Sequence, residues 1–211
     1  MLIRTTGRKK THVDRIKPYL VLDVPGTAAD KVTDTTGNFS KSGSGGVYNS
    51  TYGGMNFSRN GGLIKFLRNN TSRTFINTGI FALEYEIMPT SIGDGQHNNG
   101  APTIWSSTNL VQFAAHCWVS DTNGHINFGG TWTDVAIPIG VGATNNVWRT
   151  VVMQRRSNGA FELWHNGSLV GQATNANNIS MSYLTFGDTA ARDAMNGYVR
   201  NIKLYEGALR Y

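Results

Sequence analysis

Three apolar runs, Val147-Trp148-Arg149-Thr150-Val151-Val152-Met153-Gln154-Arg155-Arg156, Ala160-Phe161-Glu162-Leu163-Trp164-His165 and Ser168-Leu169-Val170-Gly171-Gln172-Ala173, are separated by Asn158-Gly159 and Asn166-Gly167. Asn-Gly supplies the positive φ angles that a tight hairpin turn requires. The stretch therefore predicts a three-strand antiparallel meander, with Trp148 and Trp164 in its core. Residues 81–88 alternate, with Phe81, Leu83, Tyr85 and Ile87 on one face and Ala82, Glu84, Glu86 and Met88 on the other. This is the pattern of a half-buried strand with one core face and one wet face. Val199 and Ile202, three apart, share a strand face only if a bulge intervenes, and one is expected beside Gly197. No window carries a helical period of useful length. Short strands broken by Gly, Asn, Ser and Thr clusters predict an antiparallel sandwich, for which about 190 residues is an ordinary size.

Working outward, the same kind of segment recurs. Tyr19-Leu20-Val21-Leu22-Asp23, Asp34-Thr35-Thr36-Gly37-Asn38 and Tyr52-Gly53-Gly54-Met55-Asn56-Phe57 precede Gly79-Ile80-Phe81-Ala82-Leu83-Glu84-Tyr85-Glu86-Ile87. After the meander come Gly197-Tyr198-Val199-Arg200-Asn201-Ile202-Lys203-Leu204-Tyr205 and Ala208-Leu209. In this order the segments resemble a laminin-G-like domain of the concanavalin A-like lectin superfamily. The resemblance implies an all-β, antiparallel jelly-roll sandwich over residues 19–211, preceded by an extended, basic N-terminal arm over 1–18. That superfold hosts lectins, glycan hydrolases, lyases and structural modules, so activity does not follow from it.

Charge is uneven. The chain holds 19 Lys and Arg against 13 Asp and Glu, for a net charge of +6. Arg4, Arg8, Lys9, Lys10, Arg15 and Lys17, opposed only by Asp14, place +5 of it in residues 1–17. The sandwich body is thus close to neutral, and the arm is the expected partner-binding element. The first ten residues have no apolar core of signal-peptide length, and no stretch approaches a membrane span. A single cysteine, Cys117, within a run read as a strand, cannot form an internal disulfide, so the fold rests on its apolar core. A lectin-like sandwich made in the cytoplasm without a signal peptide is similar to structural modules of tailed-phage particles. The resemblance thus implies a virion location, with other capsid or tail proteins as partners, homo-oligomeric assembly, no membrane and no nucleic acid. A capsid decoration or tail-associated subunit is the corresponding expectation, with a glycan-binding adhesion module as the alternative.

Catalysis is tested residue by residue. Laminarinase-type relatives carry Glu-x-Asp-x-x-Glu on one strand, because alternate residues share a face and a retaining mechanism needs two carboxyls about 5 Å apart. Here Glu84-Tyr85-Glu86-Ile87-Met88-Pro89 puts proline at the third position, so no catalytic residue is assigned and a polysaccharide-degrading enzyme is the distant alternative. His12, His97, His116, His125 and His165 show no metal-ligand spacing. Calcium at a sandwich rim is the one cofactor the resemblance implies, with Asp94, Asp121, Asp134 and Asp188 as oxygen donors, but no dense ligand motif links them and Arg200 stands where the family often has an acid. The loop 91–100 and the segment 127–134, read as rim loops, offer Asp94, His97, Asn98, Asn99 and Trp132 as glycan contacts, pairing sugar hydroxyls with planar polar groups and a ring face with indole.

Overall fold

The computed structural model describes residues 12, 19–58, 62–69, 79–91, 103–105, 110–114, 123–128, 131–136, 146–174, 183–186 and 196–211, with backbone only at 91, 103–105, 110–114, 123–128, 131–136 and 173. Among these the strands pair antiparallel throughout and form two sheets. The first runs β13 (Ser168–Thr174), β12 (Ala160–His165), β11 (Arg149–Arg155), β6 (Phe81–Ser91), β15 (Asn196–Glu206), β4 (Gly54–Phe57), β3 (Tyr48–Asn49), with β1 (Leu20–Val24) also paired to β15. The second runs β10 (Thr131–Ala136), β9 (Asn123–Phe128), β8 (Leu110–Ala114), β7 (Thr103–Trp105), β14 (Tyr183–Phe186), β5 (Ile64–Arg68), β2 (Phe39–Ser42). No helix among the described residues is long and apolar enough to cross a membrane.

The meander forms as β11, β12 and β13, and its two turns differ. Asn166 and Gly167 both take positive φ, 48° and 82°, the conformation a two-residue hairpin of matching twist requires. At the other turn only Gly159 does, at 81°, because the loop is longer: Arg156 donates to the Ala160 carbonyl at 2.8 Å and Gly159 to the Arg156 carbonyl at 3.0 Å.

Alternation decides which side chains meet between the sheets. Phe81, Leu83, Tyr85 and Ile87 of β6 are fully buried in one cluster with Val151, Met153, Phe161 and Leu163 from the meander and Ile64, Phe66, Leu184 and Phe186 from the second sheet. Tyr85 meets Phe186 across the sandwich edge to face, with centroids 5.4 Å apart. Desolvation raises the Tyr85 hydroxyl pKa well above the ordinary tyrosine value.

Two expectations are corrected here. The opposite face of β6 is not wet: Ala82 and Met88 are buried, and the Glu84 and Glu86 side chains are only 14% and 27% exposed, each ion-paired to an arginine. Trp148 and Trp164 are not core either. Val151, Met153, Phe161 and Leu163 occupy the inward positions, so strand parity sends Trp164, opposite Val152, to the outer face, where it is partly buried.

β15 carries the bulge that Val199 and Ile202 demand. Arg200 is level with Glu86 and Lys203 with Glu84, so three steps along β15 match two along β6. The extra residue, Asn201, takes φ 52°, a left-handed conformation that asparagine tolerates, and both Val199 and Ile202 stay in the core. A second register shift lies at Asn196/Gly197, beside the expected glycine. The strand also changes neighbour at the bulge, pairing with β4 through Gly197–Val199 and with β1 from Ile202 onward. Pro25 accepts a hydrogen bond from the Asn201 amide at 2.8 Å where the exchange occurs.

Candidate functional site

The outer face of the first sheet gathers aromatic rings and paired charges at its β4–β15 side. The turn joining β3 to β4 places the first of them. Asn49 Oδ1 accepts hydrogen bonds from the amides of Thr51 and Tyr52 at 2.9 and 3.2 Å, and the Asn49 carbonyl accepts one from Gly53, itself at φ 68°. An Asx turn of this kind fixes a loop from within. It leaves Tyr52 at its tip, 41% exposed, with one ring face stacked on Tyr198 at 4.4 Å and 24°. Burial and then the charge of Tyr52 raise the Tyr198 phenol.

Beside this stack, Arg200 is held on three sides. Its Nε donates to Glu86 Oε2 at 2.6 Å, Nη1 donates to the Gly53 carbonyl at 3.2 Å, and its guanidinium lies 4.0 Å from the centroid of the Trp148 ring. Asn201 Nδ2 donates to the other Glu86 oxygen at 2.8 Å. The bulge thus delivers two donors to one carboxylate. Trp148 comes so near β4 that a Cβ at Gly54 would stand 2.6 Å from its Cη2, so glycine is needed for the ring to lie there.

A second cluster covers the same face toward β12. The Glu162 side chain, 4% exposed, accepts from Gln154 Nε2 at 2.6 Å, from Trp164 Nε1 at 3.2 Å and from Arg156 Nε and Nη2. Burial pushes its carboxyl upward, but the hydrogen bonds from Arg156, Gln154 and Trp164 and the Arg156 charge prevail and hold it below the ordinary carboxylate value. Gln154 Oε1 in turn accepts from the amides of Arg210 and Tyr211 at 2.9 and 3.2 Å, Arg210 Nε donates to Glu84 at 2.9 Å, and Tyr211 stacks on Trp164.

The two carboxylates of β6 are each held by an arginine. Glu84 is tied to Arg210 and Glu86 to Arg200, and Pro89 is buried at the third position. Among the described residues no group of three or more His, Cys, Asp or Glu is placed to hold a metal ion. Asp34 is committed to a turn, accepting at 2.7–3.0 Å from the Asp23, Thr36 and Phe39 amides and the Thr36 hydroxyl.

Of the residues expected from sequence to form sites, Arg4, Arg8, Lys9, Lys10, Arg15, Lys17, Asp94, His97, Asn98 and Asn99 lie outside the described residues, as do Asp121 and Asp188. Within 1–18 only His12 is described, its Nε2 3.1 Å from the Leu209 carbonyl. Trp132 and Asp134 are described in backbone only, and their segment is corrected: 127–134 is mostly the β9–β10 hairpin, not a loop, because Gly129-Gly130 joins two runs that pair from Phe128↔Thr131 to Asn123↔Ala136. The Tyr52, Tyr198, Trp148, Arg200 and Glu86 group was missed. Tyr198 and Arg200, two apart in one strand, were a legible pair, but nothing local announces Gly53, 147 residues away from the arginine it binds.

No protein-family model matches the chain, and no curated protein matches it. Solved structures do. The receptor binding domain of botulinum neurotoxin D aligns over 92% of this chain and 50% of its own, with a TM-score of 0.69 and 15% identity. Domain 4 of AbnA, an extracellular GH43 arabinanase from Geobacillus stearothermophilus, solved in complex with arabinotriose, aligns over 90% and 93%, with a TM-score of 0.66 and 16% identity. The binding domain of Paraclostridial Mosquitocidal Protein 1 aligns over 92% and 50%, with a TM-score of 0.61 and 15% identity. The chain thus spans half the length of the neurotoxin domain and nearly all of the arabinanase module. At these identities the likeness defines the fold alone, an antiparallel β-sandwich.

Proposed function

We propose that this chain is a non-catalytic carbohydrate-binding module whose site is the outer face of the first sheet around Tyr52. The supporting observation is the exposed Tyr52 ring, backed by Tyr198 and flanked by the Arg200–Glu86 pair. A rigid aromatic plane beside fixed planar polar groups meets both needs of a sugar, an apolar ring face to stack on and hydroxyls to pair. The fold neighbours, a module solved with arabinotriose and toxin receptor-binding domains, agree with this reading. A glycan microarray followed by calorimetry tests it. Wild-type protein binds at least one glycan, Tyr52→Ala loses that binding without losing its fold, and no substrate is cleaved. A folded Tyr52→Ala variant with unchanged binding overturns the placement.

A second reading concerns where the module works, and the charge asymmetry favours it. Residues 1–17 carry +5 and reach about 55 Å when extended at about 3.3 Å per residue. A basic tether of that length suits attachment to an acidic partner subunit, as in a capsid decoration or tail-associated protein of a phage particle. Deleting 1–17 is expected to leave a folded, near-neutral sandwich that no longer joins the particle. Full incorporation of the truncated protein removes the tether as anchor.

A further inference from the structure

Building on the carbohydrate-binding reading, we infer that the Tyr52 site takes a neutral glycan and excludes uronates, sialates and sulfated sugars. The ion pairing of the face carries this. Among the described residues Arg200 is matched by Glu86 at 2.6 Å, Arg210 by Glu84 at 2.9 Å, and Arg156 by Glu162. Arg200, whose Nη1 binds the Gly53 carbonyl next to Tyr52, is thus already neutralised, and its partner carboxylate is fixed from both sides by the same bulge, through Arg200 Nε and Asn201 Nδ2.

An acidic sugar that reached Arg200 would set a second anion beside Glu86 on a guanidinium whose charge Glu86 already balances. Repulsion between the two like charges in a partly desolvated setting offsets what the new contact returns. A hydroxyl has no such conflict, since it can donate to Glu86 and accept from Arg200 while the pair stays closed. Arg200 Nη2 makes no hydrogen bond among the described residues, which leaves a donor aimed by the Glu86, Gly53 and Trp148 contacts of the same guanidinium. The Tyr52 ring, which among the described residues stacks only on Tyr198 and is 41% exposed, supplies the apolar plane.

Calorimetry with two oligosaccharide panels, at low and high salt, tests this on the full chain. The neutral panel is arabinotriose, xylopentaose, cellopentaose and mannopentaose; the acidic panel is trigalacturonate, sialyllactose and a heparin hexasaccharide. The expected result is binding within the neutral panel only, with an affinity changed less than about twofold between about 50 and 500 mM NaCl, since a neutral ligand has no net charge to screen. Tyr52→Ala is expected to lower that affinity by about tenfold or more, the loss of one well-placed stacking contact. An acidic oligosaccharide bound more tightly, weakened about tenfold over the same salt range and lost in Arg200→Gln, overturns the neutral-ligand inference and leaves the module reading intact. Absence of binding by both panels and by a broader array, or binding that Tyr52→Ala leaves unchanged, removes the reading beneath it.

Discussion

Trp164 and Tyr211 stack with ring centroids 4.5 Å apart and an interplanar angle of 28°, so the last described residue lies over the outer face of the meander. Both rings are partly exposed. Trp164→Ala and Tyr211→Ala are therefore expected to cost about 1–2 kcal/mol each, below the about 3–5 kcal/mol of a fully buried aromatic such as Phe66→Ala. Urea unfolding of the three variants checks the ranking. Equal losses for Trp164 and Phe66 would return Trp164 to the core.

Gly197→Ala is expected to be severe for a different reason. A Cβ there would stand 2.5 Å from the Met88 carbonyl oxygen, and backbone cannot step aside as a side chain can. Crowding of this kind costs about 1–3 kcal/mol or more, and thermal unfolding measures it. Gly54→Ala instead meets the Trp148 indole, which can swing away, so its predicted signature is a changed tryptophan emission and weaker glycan binding with most of the stability retained.

Glu162 sets an acid limb. Its pKa in the folded protein is depressed, so its contribution is present above about pH 4.3, the unfolded value, and is lost as pH falls through the lower folded value. Glu162→Gln is expected to flatten the stability profile below that pH. A wild-type acid limb in the variant would assign the loss to other carboxylates.

Tyr205 does the reverse at high pH. Desolvation, helped by the charge of Glu84, raises its hydroxyl to about 12. Its contribution is complete below about pH 10, the unfolded value, and declines as pH rises toward 12. Tyr205→Phe is expected to remove part of that alkaline decline, read by circular dichroism at fixed denaturant.

The sandwich was readable because its signals are local. Asn166-Gly167, the alternation of Phe81 to Ile87 and the spacing of Val199 and Ile202 each constrain a few adjacent residues, and the structure has the corresponding turn, strand and bulge. The candidate site was not, because its members meet only through pairing at long range: Glu86 and Arg200 are 114 residues apart. Strand parity also explains the misplaced tryptophans. A Trp in an apolar run reads as core, but the run Phe161-Glu162-Leu163-Trp164 alternates, and the inward positions were taken by Phe161 and Leu163.

Asn201 serves the architecture and the site at once: it lets β15 exchange β4 for β1, and its side chain anchors Glu86. Tyr52 has no such double duty, for it hangs from a short hairpin on the sheet's edge strand, its turn set by Asn49 and Gly53 and its ring resting on Tyr198. Affinity and foldability are consequently separable along this site. On the carbohydrate-binding proposal, libraries that randomise residues 50–52 between a retained Asn49 and Gly53 would retune which sugar is grasped while the strand exchange stays untouched, whereas diversity introduced at Asn201 would select for folding before it selected for anything else.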